Sequence, residues 1–236
     1  NDRYHVDGEY RQVALAIREL SHAHLPSRKW INEHLIYTHG HGIVVGPVNQ
    51  VTTQGLPEFM VKDIPPKTSA GFKIARPEIY YGEQTSSYAL VGMRMKELDY
   101  PLGDENVYTR YQGKGGVRVG SLAERLFFAL RFGELKILLS DDFTDSSRIL
   151  YHREVVERVS KVAPFLQFDR DPYPVVTPEG RISWIVDGYV SSSFYPYSQP
   201  TPEMGNYIRN PIKVIVDAYD GTINLYIVEP DEPMAR

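Results

Sequence analysis

Residues 213–228, KVIVDAYDGTINLYIV, consist of two β-type apolar runs on either side of an Asp-Gly pair at 220–221. Asp-Gly suits the positive backbone angles of a tight hairpin turn, so this stretch predicts two antiparallel strands. Residues 181–190, RISWIVDGYV, have a similar strand-like composition. The C-terminal part is therefore expected to be an antiparallel sheet. The proline-rich segment between its strands, residues 194–202, is expected to be extended.

Two helices are predicted from caps and periodicity. The first lies between a cap at Asp7 and a stop at Pro26. Its apolar face consists of Val13, Ala14, Ile17, Leu20 and His24. In the second, Ser121 and Glu124 match a capping box and Gly133 matches a helix end. The many apolar residues between them predict a helix that is buried on most sides.

A third helix is predicted from Asp145 or Ser146 to about Ala163, where Pro164 ends it. Its apolar stripe consists of Ile149, His152, Val156, Val159 and Ala163. Its other face is typical of a solvated surface and consists of Arg153, Glu154, Glu157, Arg158 and Lys161. Residues 78–81 and 87–91 flank a Gly-Glu-Gln-Thr turn and predict a short hairpin.

These elements predict an α+β fold of mainly antiparallel strands with about three helices, forming a single domain over residues 1–236. Two lobes could meet near Gly113-Lys-Gly-Gly116. That segment combines a lysine with free amides but lacks the G-x-x-x-x-G-K-[ST] pattern of a phosphate-binding loop. A flexible loop between lobes is the favoured interpretation, and no cofactor is assigned.

Charge and composition exclude several classes of function. The 236 residues have a formal net charge of -4 and a pI near 6.0, with no run of lysine and arginine. Nucleic acid is therefore not expected as a partner. The absence of cysteine excludes disulfides, thiolate nucleophiles and cysteine metal sites. No apolar run approaches the roughly 20 residues that a membrane-spanning helix needs.

The strongest candidate for a functional site is residues 31–49, INEHLIYTHGHGIVVGPVN, because three histidines lie among three glycines. A strand spacing of two places His39 and His41 on one face, where they could bind a zinc-type ion with His34 and Glu33. The spacing is not H-E-x-x-H, and Gly40 would interrupt a helix. The favoured interpretation is structural, with the imidazoles hydrogen-bonded to loop backbone. No metal ligand is assigned.

Acidic clusters offer a calcium alternative, with Asp141, Asp142 and Asp145 in one group and Asp169 and Asp171 in another. Neither group has the spacing of an EF-hand loop, and helix capping explains the first group at least as well as calcium binding does. The G-x-S-x-G pattern of a serine hydrolase does not occur. No catalytic residue is therefore assigned.

Tyrosine is abundant, at 17 residues. A cluster of Tyr189, Tyr195, Tyr197 and Tyr207 could bind peptide, glycan or another protein, since tyrosine combines a broad apolar face with a hydroxyl. The favoured alternative is that these rings pack against sheet edges and the proline-rich loop.

Several unusual segments occur in an order that resembles uncharacterised protein family 0182. They are EHLIYTHG (33–40), LPEFMVKDIPP (56–66), RPEIYYG (76–82), GDENVYTRY (103–111), ILLSD (137–141), APFL (163–166) and NYIRN (206–210). The resemblance implies a large bacterial membrane protein with an upstream multi-pass region and a later extracytoplasmic part, which this chain would be. It implies no activity, cofactor or site. Its members usually carry an aromatic residue where this chain has His41.

A chain that begins with Asn1 is expected to belong to a longer protein. The favoured hypothesis is a non-enzymatic extracytoplasmic domain attached to the membrane-embedded remainder of the same protein. It would bind an envelope protein or glycan, or support assembly of the membrane part. One alternative is a metal-dependent envelope hydrolase. The other is a purely structural or oligomerisation module with an exposed apolar patch.

Overall fold

A computed structural model of the chain describes residues 2–6, 8–25, 27–69, 71–202 and 204–234. Within these ranges there are 17 strands. They are β1 (Asp2–Val6), β2 (Glu9–Ile17), β3 (Gly40–His41), β4 (Ile43–Pro47), β5 (Val61–Lys62), β6 (Lys67–Thr68), β7 (Glu78–Ile79), β8 (Ala89–Val91), β9 (Glu97–Leu102), β10 (Glu105–Thr109), β11 (Val117–Arg118), β12 (Arg148–Leu150), β13 (Gln167–Phe168), β14 (Tyr173–Val176), β15 (Ile182–Ser192), β16 (Tyr207–Asp217) and β17 (Ile223–Ile227).

Helices are fewer and shorter than strands. The α-helices are α1 (Leu122–Phe132), α2 (Lys136–Leu139) and α3 (Val155–Val162). A π-helical turn covers Asn32–Ile36 and a 3₁₀ turn covers His22–His24. The predicted α+β class with mainly antiparallel strands is confirmed, because all the named strand pairs are antiparallel. The predicted count of about three helices and the two lobes are not confirmed.

Two five-stranded sheets form the larger part of the molecule. The N-terminal sheet has the order β1-β2-β4-β5-β6, and the C-terminal sheet has β13-β15-β16-β17 with β14 also paired to β15. Their apolar faces and α3 enclose one core, which includes Val13, Val45, Val159, Trp184 and Val214. Burial of these side chains away from water is the main force that holds the two sheets together.

A second core lies under α1 and α2. Phe128 of α1 and Ile137 of α2 pack there with Leu35, Leu90 and Ile149. The small sheet β11-β12-β8 forms one side of this core. The β9–β10 hairpin and the β3–β7 pair are separate two-stranded sheets. A third cluster consists mainly of the rings of Tyr80, Tyr81, Tyr111 and Tyr219.

The C-terminal predictions are confirmed. Strand β16 pairs with β17 from Ile212↔Ile227 to Val216↔Ile223, and β15 pairs with β16. Gly221 has φ 65°, the left-handed conformation that an Asp-Gly turn requires. The segment at 194–202 is not extended throughout, because it turns at Tyr197, which has φ 62°.

The predicted first helix is wrong in the described residues, because Glu9–Ile17 is strand β2. It pairs with β1 and with β4, from Val13↔Pro47 to Ile17↔Ile43. Val13, Leu15 and Ile17 fit a period of two, whereas Ala14 of the predicted helix face is exposed. Burial of Val13 in the sheet core decides between the two patterns. The predicted cap at Asp7 and stop at Pro26 lie outside the described residues.

Two further predictions are corrected by sheet pairing. Strands β7 and β8 do not form a hairpin, because β7 pairs with β3 and β8 pairs with β12. The third helix begins at Val155, about ten residues later than predicted, since Arg148–Leu150 is the strand β12. Its cap is Glu154, whose carboxylate accepts from the main-chain N–H groups of Val156 and Glu157, so Asp145 does not cap it.

Candidate functional site

His39, His41 and Asp99 converge on one point. His41 Nδ1 lies 2.7 Å and His39 Nε2 lies 3.4 Å from the same carboxylate oxygen, Asp99 Oδ1. One potential ligand atom from each residue lies within 4.8 Å of the others. Strand β3 and the residue before it position the two imidazoles, and β9 supplies the carboxylate. The predicted shared face of His39 and His41 is consistent with this arrangement.

A buried carboxylate beside this cluster fixes the orientation of His39. Glu97 accepts hydrogen bonds from the Thr38 hydroxyl at 2.6 Å, the Tyr80 hydroxyl at 2.7 Å and the Tyr111 N–H at 2.9 Å. The Thr38 hydroxyl also lies 2.9 Å from His39 Nδ1. Since the single Thr38 proton is donated to Glu97, His39 Nδ1 must carry a proton and donate to Thr38.

The tautomer of His39 follows from these bonds. A neutral imidazole with its proton on Nδ1 has a lone pair on Nε2, and that atom faces Asp99 Oδ1. Burial raises the pKa of Asp99, but the adjacent imidazoles of His39 and His41 outweigh it and lower the pKa well below its usual value, so the carboxylate stays charged. In the tautomer with its only proton on Nδ1, His39 Nε2 cannot donate to Asp99, so the 3.4 Å contact needs a second proton on the ring or a cation between the two atoms.

The cluster is almost closed to solvent. The His39 side chain has no exposed surface, that of His41 is 6% exposed, and that of Asp99 is 15% exposed. The Tyr80 ring packs on His39 with centroids 4.6 Å apart, and the Tyr100 ring packs on His41 at 4.8 Å. His41 Nε2 is buried and has no hydrogen-bond partner among the described residues.

The remaining candidates from residues 31–49 lie outside the cluster. His34 Nδ1 donates to the Tyr88 carbonyl at 2.8 Å and its ring stacks on Tyr88, which fits the predicted structural role. Glu33 is not the carboxylate that completes the group. For His39 and His41 the predicted backbone partners are wrong, because their partners are the side chains of Thr38 and Asp99. No short motif could indicate Asp99, since it lies 58 residues beyond His41.

The glycines of this stretch have a steric explanation. A Cβ at Gly40 would lie 2.3 Å from the Arg18 carbonyl oxygen, and Gly42 has φ 91°.

The segment Gly113-Lys-Gly-Gly116 is fixed by hydrogen bonds, because the Lys114 N–H donates to Asp220 at 2.9 Å and the Gly115 N–H to the Tyr111 hydroxyl at 2.9 Å.

Within the described part of the chain, His39, His41 and Asp99 are the group whose side chains converge as metal ligands would. The acidic candidates for a calcium site do not converge in this way. They are Asp141, Asp142, Asp145, Asp169 and Asp171. Asp169 accepts from the Tyr189 hydroxyl at 3.3 Å and from the Asp171 N–H at 3.2 Å. These bonds are ordinary loop contacts.

The tyrosine-rich surface is partly packed. Tyr195 stacks on Tyr207 with centroids 5.1 Å apart, and the Tyr207 hydroxyl donates to Glu232 at 2.7 Å. Tyr189 bonds to Asp169, whereas Tyr197 is fully exposed. Tyr189 and Tyr207 thus have partners within the molecule, whereas Tyr195 is 53% exposed and Tyr197 projects into solvent.

A second candidate site is an apolar surface that the sequence did not predict. Helix α1 has the expected capping box at Ser121 and the expected end at Gly133, but it is not buried on most sides, because only Phe128 and Ala129 are buried. The apolar helix surface is made up of exposed residues of α1, α2 and their connection, namely Leu122, Leu126, Phe127, Leu130, Leu135 and Leu139.

The spacing of these residues makes a continuous stripe. Leu122, Leu126 and Leu130 are four residues apart, so they lie on one face of α1, and Leu135 and Leu139 have the same spacing beside it. Leu130 is 75% exposed and Leu139 is 73% exposed. A mainly apolar cleft of about 380 Å³ adjoins Leu139 and reaches Trp30. Single exposed leucines are common, but a grouped set marks an interaction surface.

The charged residues of these helices are engaged within the molecule. Arg125 donates to the carbonyls of Gly120 and Ser140, both at 3.3 Å, and lies over the Phe143 ring. Arg131 lies over the Tyr151 ring at 5.2 Å. Glu124 accepts from the Ser121 N–H, and Glu134 pairs with Lys136 at 3.4 Å. The arginines of α1 therefore have partners within the molecule, whereas Lys29 and Lys136 line the adjoining cleft.

The fold and these two sites define a sheet-rich α+β unit with a buried polar cluster on one part and an exposed apolar surface on another. The chain belongs to the uncharacterised protein family UPF0182, which it matches over residues 1–236. No solved structure matches it significantly. Within the described ranges, the structure contains no helix with the length and apolarity to span a bilayer.

Relatives extend well beyond this chain. It is 54% identical to a UPF0182 protein of Geobacter sulfurreducens, 53% identical to one of Geotalea uraniireducens and 48% identical to one of Desulforamulus reducens. In each case the match covers 100% of this chain but 26% of the relative. The chain thus spans about a quarter of the length of these relatives.

Proposed function

We propose that this chain is an extracytoplasmic domain of a larger membrane protein, and that its apolar helix surface docks on the membrane-embedded remainder of the same protein. The exposed stripe on α1 and α2 carries this proposal. Such a surface costs solubility unless it is covered, since burying apolar area gains roughly 25 cal/mol per Å². The role is assembly and binding, without catalysis.

The remainder of the same polypeptide is the favoured occupant for two reasons. The relatives have about three quarters of their length outside the region that matches this chain, so a tethered partner is present at high effective concentration. The arginines of α1 are also held by carbonyls and rings, which favours an apolar protein partner over an anionic lipid surface.

Photo-crosslinking in the full-length protein tests the docking. A benzophenone amino acid replaces Leu130 in one sample and Phe165, an exposed apolar residue away from α1 and α2, in the control. We expect the probe at position 130 to crosslink to peptides from outside this chain, and the probe at 165 not to. Crosslinks from position 130 to lipid, or to the same segment of a second copy, would contradict the proposal, as would an absence of crosslinks.

A charge substitution provides a second test. In the double variant Leu126→Glu/Leu130→Glu both changes fall on exposed positions, so this domain should keep its fold and thermal stability. The full-length protein should become more sensitive to protease, because the docked arrangement is lost. The control Leu225→Glu, at a partly exposed strand position, should leave protease sensitivity unchanged.

The proposed location has its own test. The chain contains no cysteine, so Asp104→Cys introduces the one thiol of this domain, in the exposed turn between β9 and β10, and the full-length protein without the substitution is the control for thiols elsewhere. In intact cells that make the full-length protein, a membrane-impermeant maleimide should label this thiol. Labelling that occurs only after lysis would place the domain in the cytoplasm and refute the extracytoplasmic part of the proposal.

A further inference from the structure

The cluster at Asp99 brings two imidazoles and one carboxylate to a single point. Asp99 Oδ1 accepts from His41 Nδ1 at 2.7 Å, and His39 Nε2 lies 3.4 Å from the same oxygen. One potential ligand atom from each residue lies within 4.8 Å of the others, and the three side chains are at most 15% exposed. The His39 ring is held from the far side, because Thr38 donates to Glu97 and accepts from His39 Nδ1. His41 Nε2 is buried here without a hydrogen-bond partner among the described residues.

We propose that His39, His41 and Asp99 form a binding site for a single divalent cation of the zinc type, which replaces the proton that His41 Nδ1 donates to Asp99 and releases that proton to solvent. Two imidazoles and one carboxylate are borderline ligands that suit Zn²⁺ and its neighbours better than Ca²⁺ or Mg²⁺. His39 Nδ1 donates to Thr38, and Thr38 donates to Glu97. Metal-ligating histidines usually make such a hydrogen bond through the ring nitrogen that does not bind the metal. The proposal is independent of docking by the apolar helix surface.

The position of the site indicates a structural role for the ion. Asp99 lies on β9, and the β9–β10 hairpin is not hydrogen-bonded to the larger sheets, whereas His41 lies on β3. An ion held by Asp99 and both histidines would join the hairpin to the β3 segment. The two histidines are closed to solvent, so a further ligand could reach the ion only from the Asp99 side. Closed sites of this kind are typical of structural metals.

Metal titration of the chain after chelator treatment tests the proposal. We expect Zn²⁺ to bind with a stoichiometry of one in calorimetry and to raise the melting temperature, and Co²⁺ to give visible d–d absorption. Asp99→Asn and His39→Gln should each weaken Zn²⁺ binding at least tenfold. Thr38→Val, which removes the hydroxyl that links His39 Nδ1 to Glu97, should weaken it roughly 10- to 100-fold.

Two control variants separate this site from other histidines. His34→Gln removes a histidine of the same stretch that lies outside the cluster, so Zn²⁺ affinity should be unchanged. His41→Tyr removes one of the two imidazole ligands, and it should abolish binding. Zn²⁺ binding that is absent in the wild type, or equal in the wild type, His39→Gln and Asp99→Asn, would overturn the proposal.

A direct measurement covers the case in which a variant fails to fold. Crystals of the wild-type chain soaked in Zn²⁺ should show an anomalous peak within coordination distance of His39 Nε2 and Asp99 Oδ1. The absence of a peak there, in crystals that show Zn²⁺ at other positions, would mean that a proton on His39 completes the cluster and that the proposal is wrong.

Discussion

Arg153 Nε donates a 2.7 Å hydrogen bond to the main-chain carbonyl of Tyr80, and the arginine is only 1% exposed. The same guanidinium donates to the carbonyls of Ser87, at 3.1 Å, and Thr38. Burial lowers the pKa of Arg153 to about 10, so it remains charged at neutral pH. One side chain therefore joins its own segment to two others that are distant in sequence, the connection between β7 and β8 and the segment that carries His39.

Arg153→Met should destabilise the protein strongly, because three buried carbonyls lose their donor and the buried Glu97 loses a nearby positive charge. Removing one partner from such a buried network costs about 3–5 kcal/mol. Urea unfolding measures this cost. The control Arg170→Met, at an exposed position, should change the free energy of unfolding by less than about 0.5 kcal/mol. Equal effects would show that Arg153 is not an important link.

Ser121→Ala should destabilise α1 by about 1 kcal/mol, because Ser121 accepts from the Glu124 N–H and its own N–H donates to the Glu124 carboxylate. Thermal or urea unfolding measures the loss. Ser86→Ala is the control, since Ser86 is exposed and caps no helix. If both substitutions have the same small effect, the capping box contributes nothing to stability.

Gly133 and Gly221 provide a matched pair for backbone strain and side-chain contact. Their φ angles are 67° and 65°, so replacement by alanine costs each about 1 kcal/mol of left-handed strain. A Cβ at Gly133 meets no atom within 4 Å, whereas one at Gly221 would lie 2.4 Å from the Tyr81 ring. Gly221→Ala should therefore cost about 1–3 kcal/mol more than Gly133→Ala in urea unfolding. Similar losses for the two variants would contradict this contact.

Acid should destabilise the fold through two partly buried histidines. Burial lowers the pKa values of His22 and His34 below the ordinary 6.5, although carbonyl acceptors at Tyr37 and Tyr88 oppose the shift. The folded state thus keeps both imidazoles neutral at a pH where the unfolded chain has already bound protons. Stability should be constant above pH 6.5 and fall as the pH drops from 6.5 toward the lowered pKa values, by up to about 1.4 kcal/mol per pH unit for each proton.

Urea unfolding between pH 7.5 and pH 5 measures this slope. The charged groups near His34 are Glu33 and Arg153, and both are present at every pH in the range. His34→Gln should reduce the slope, and His24→Gln, at an exposed position, should leave it unchanged. A stability that does not change below pH 6.5 would contradict the lowered pKa values.

Two predictions that depended on a few adjacent residues were confirmed. The capping box at Ser121 and the hairpin at Asp220-Gly221 are complete within their own short segments, so no distant residue is needed to form them. The strand over 181–190 is similar, because its β-branched and aromatic residues fit a sheet wherever it lies.

Predictions that depended on partners far along the chain failed. Residues 9–17 fit a helical and a strand period equally, and pairing with β4 decides for the strand. Arg153 was assigned to a solvated helix face, but the helix begins after it and the loops around Tyr80 enclose it. Helix α1 was expected to be buried because it is apolar, yet the other elements cover only one side of it.

The sequence by itself determined the family, the α+β class, the C-terminal hairpin and the capped α1, since each follows from order, composition or local backbone preference. Tertiary structure alone brought Asp99 to His39 and His41 and left the stripe around Leu130 exposed. Ligand geometry and surface exposure depend on how distant segments fold together, and short-range patterns do not specify that arrangement.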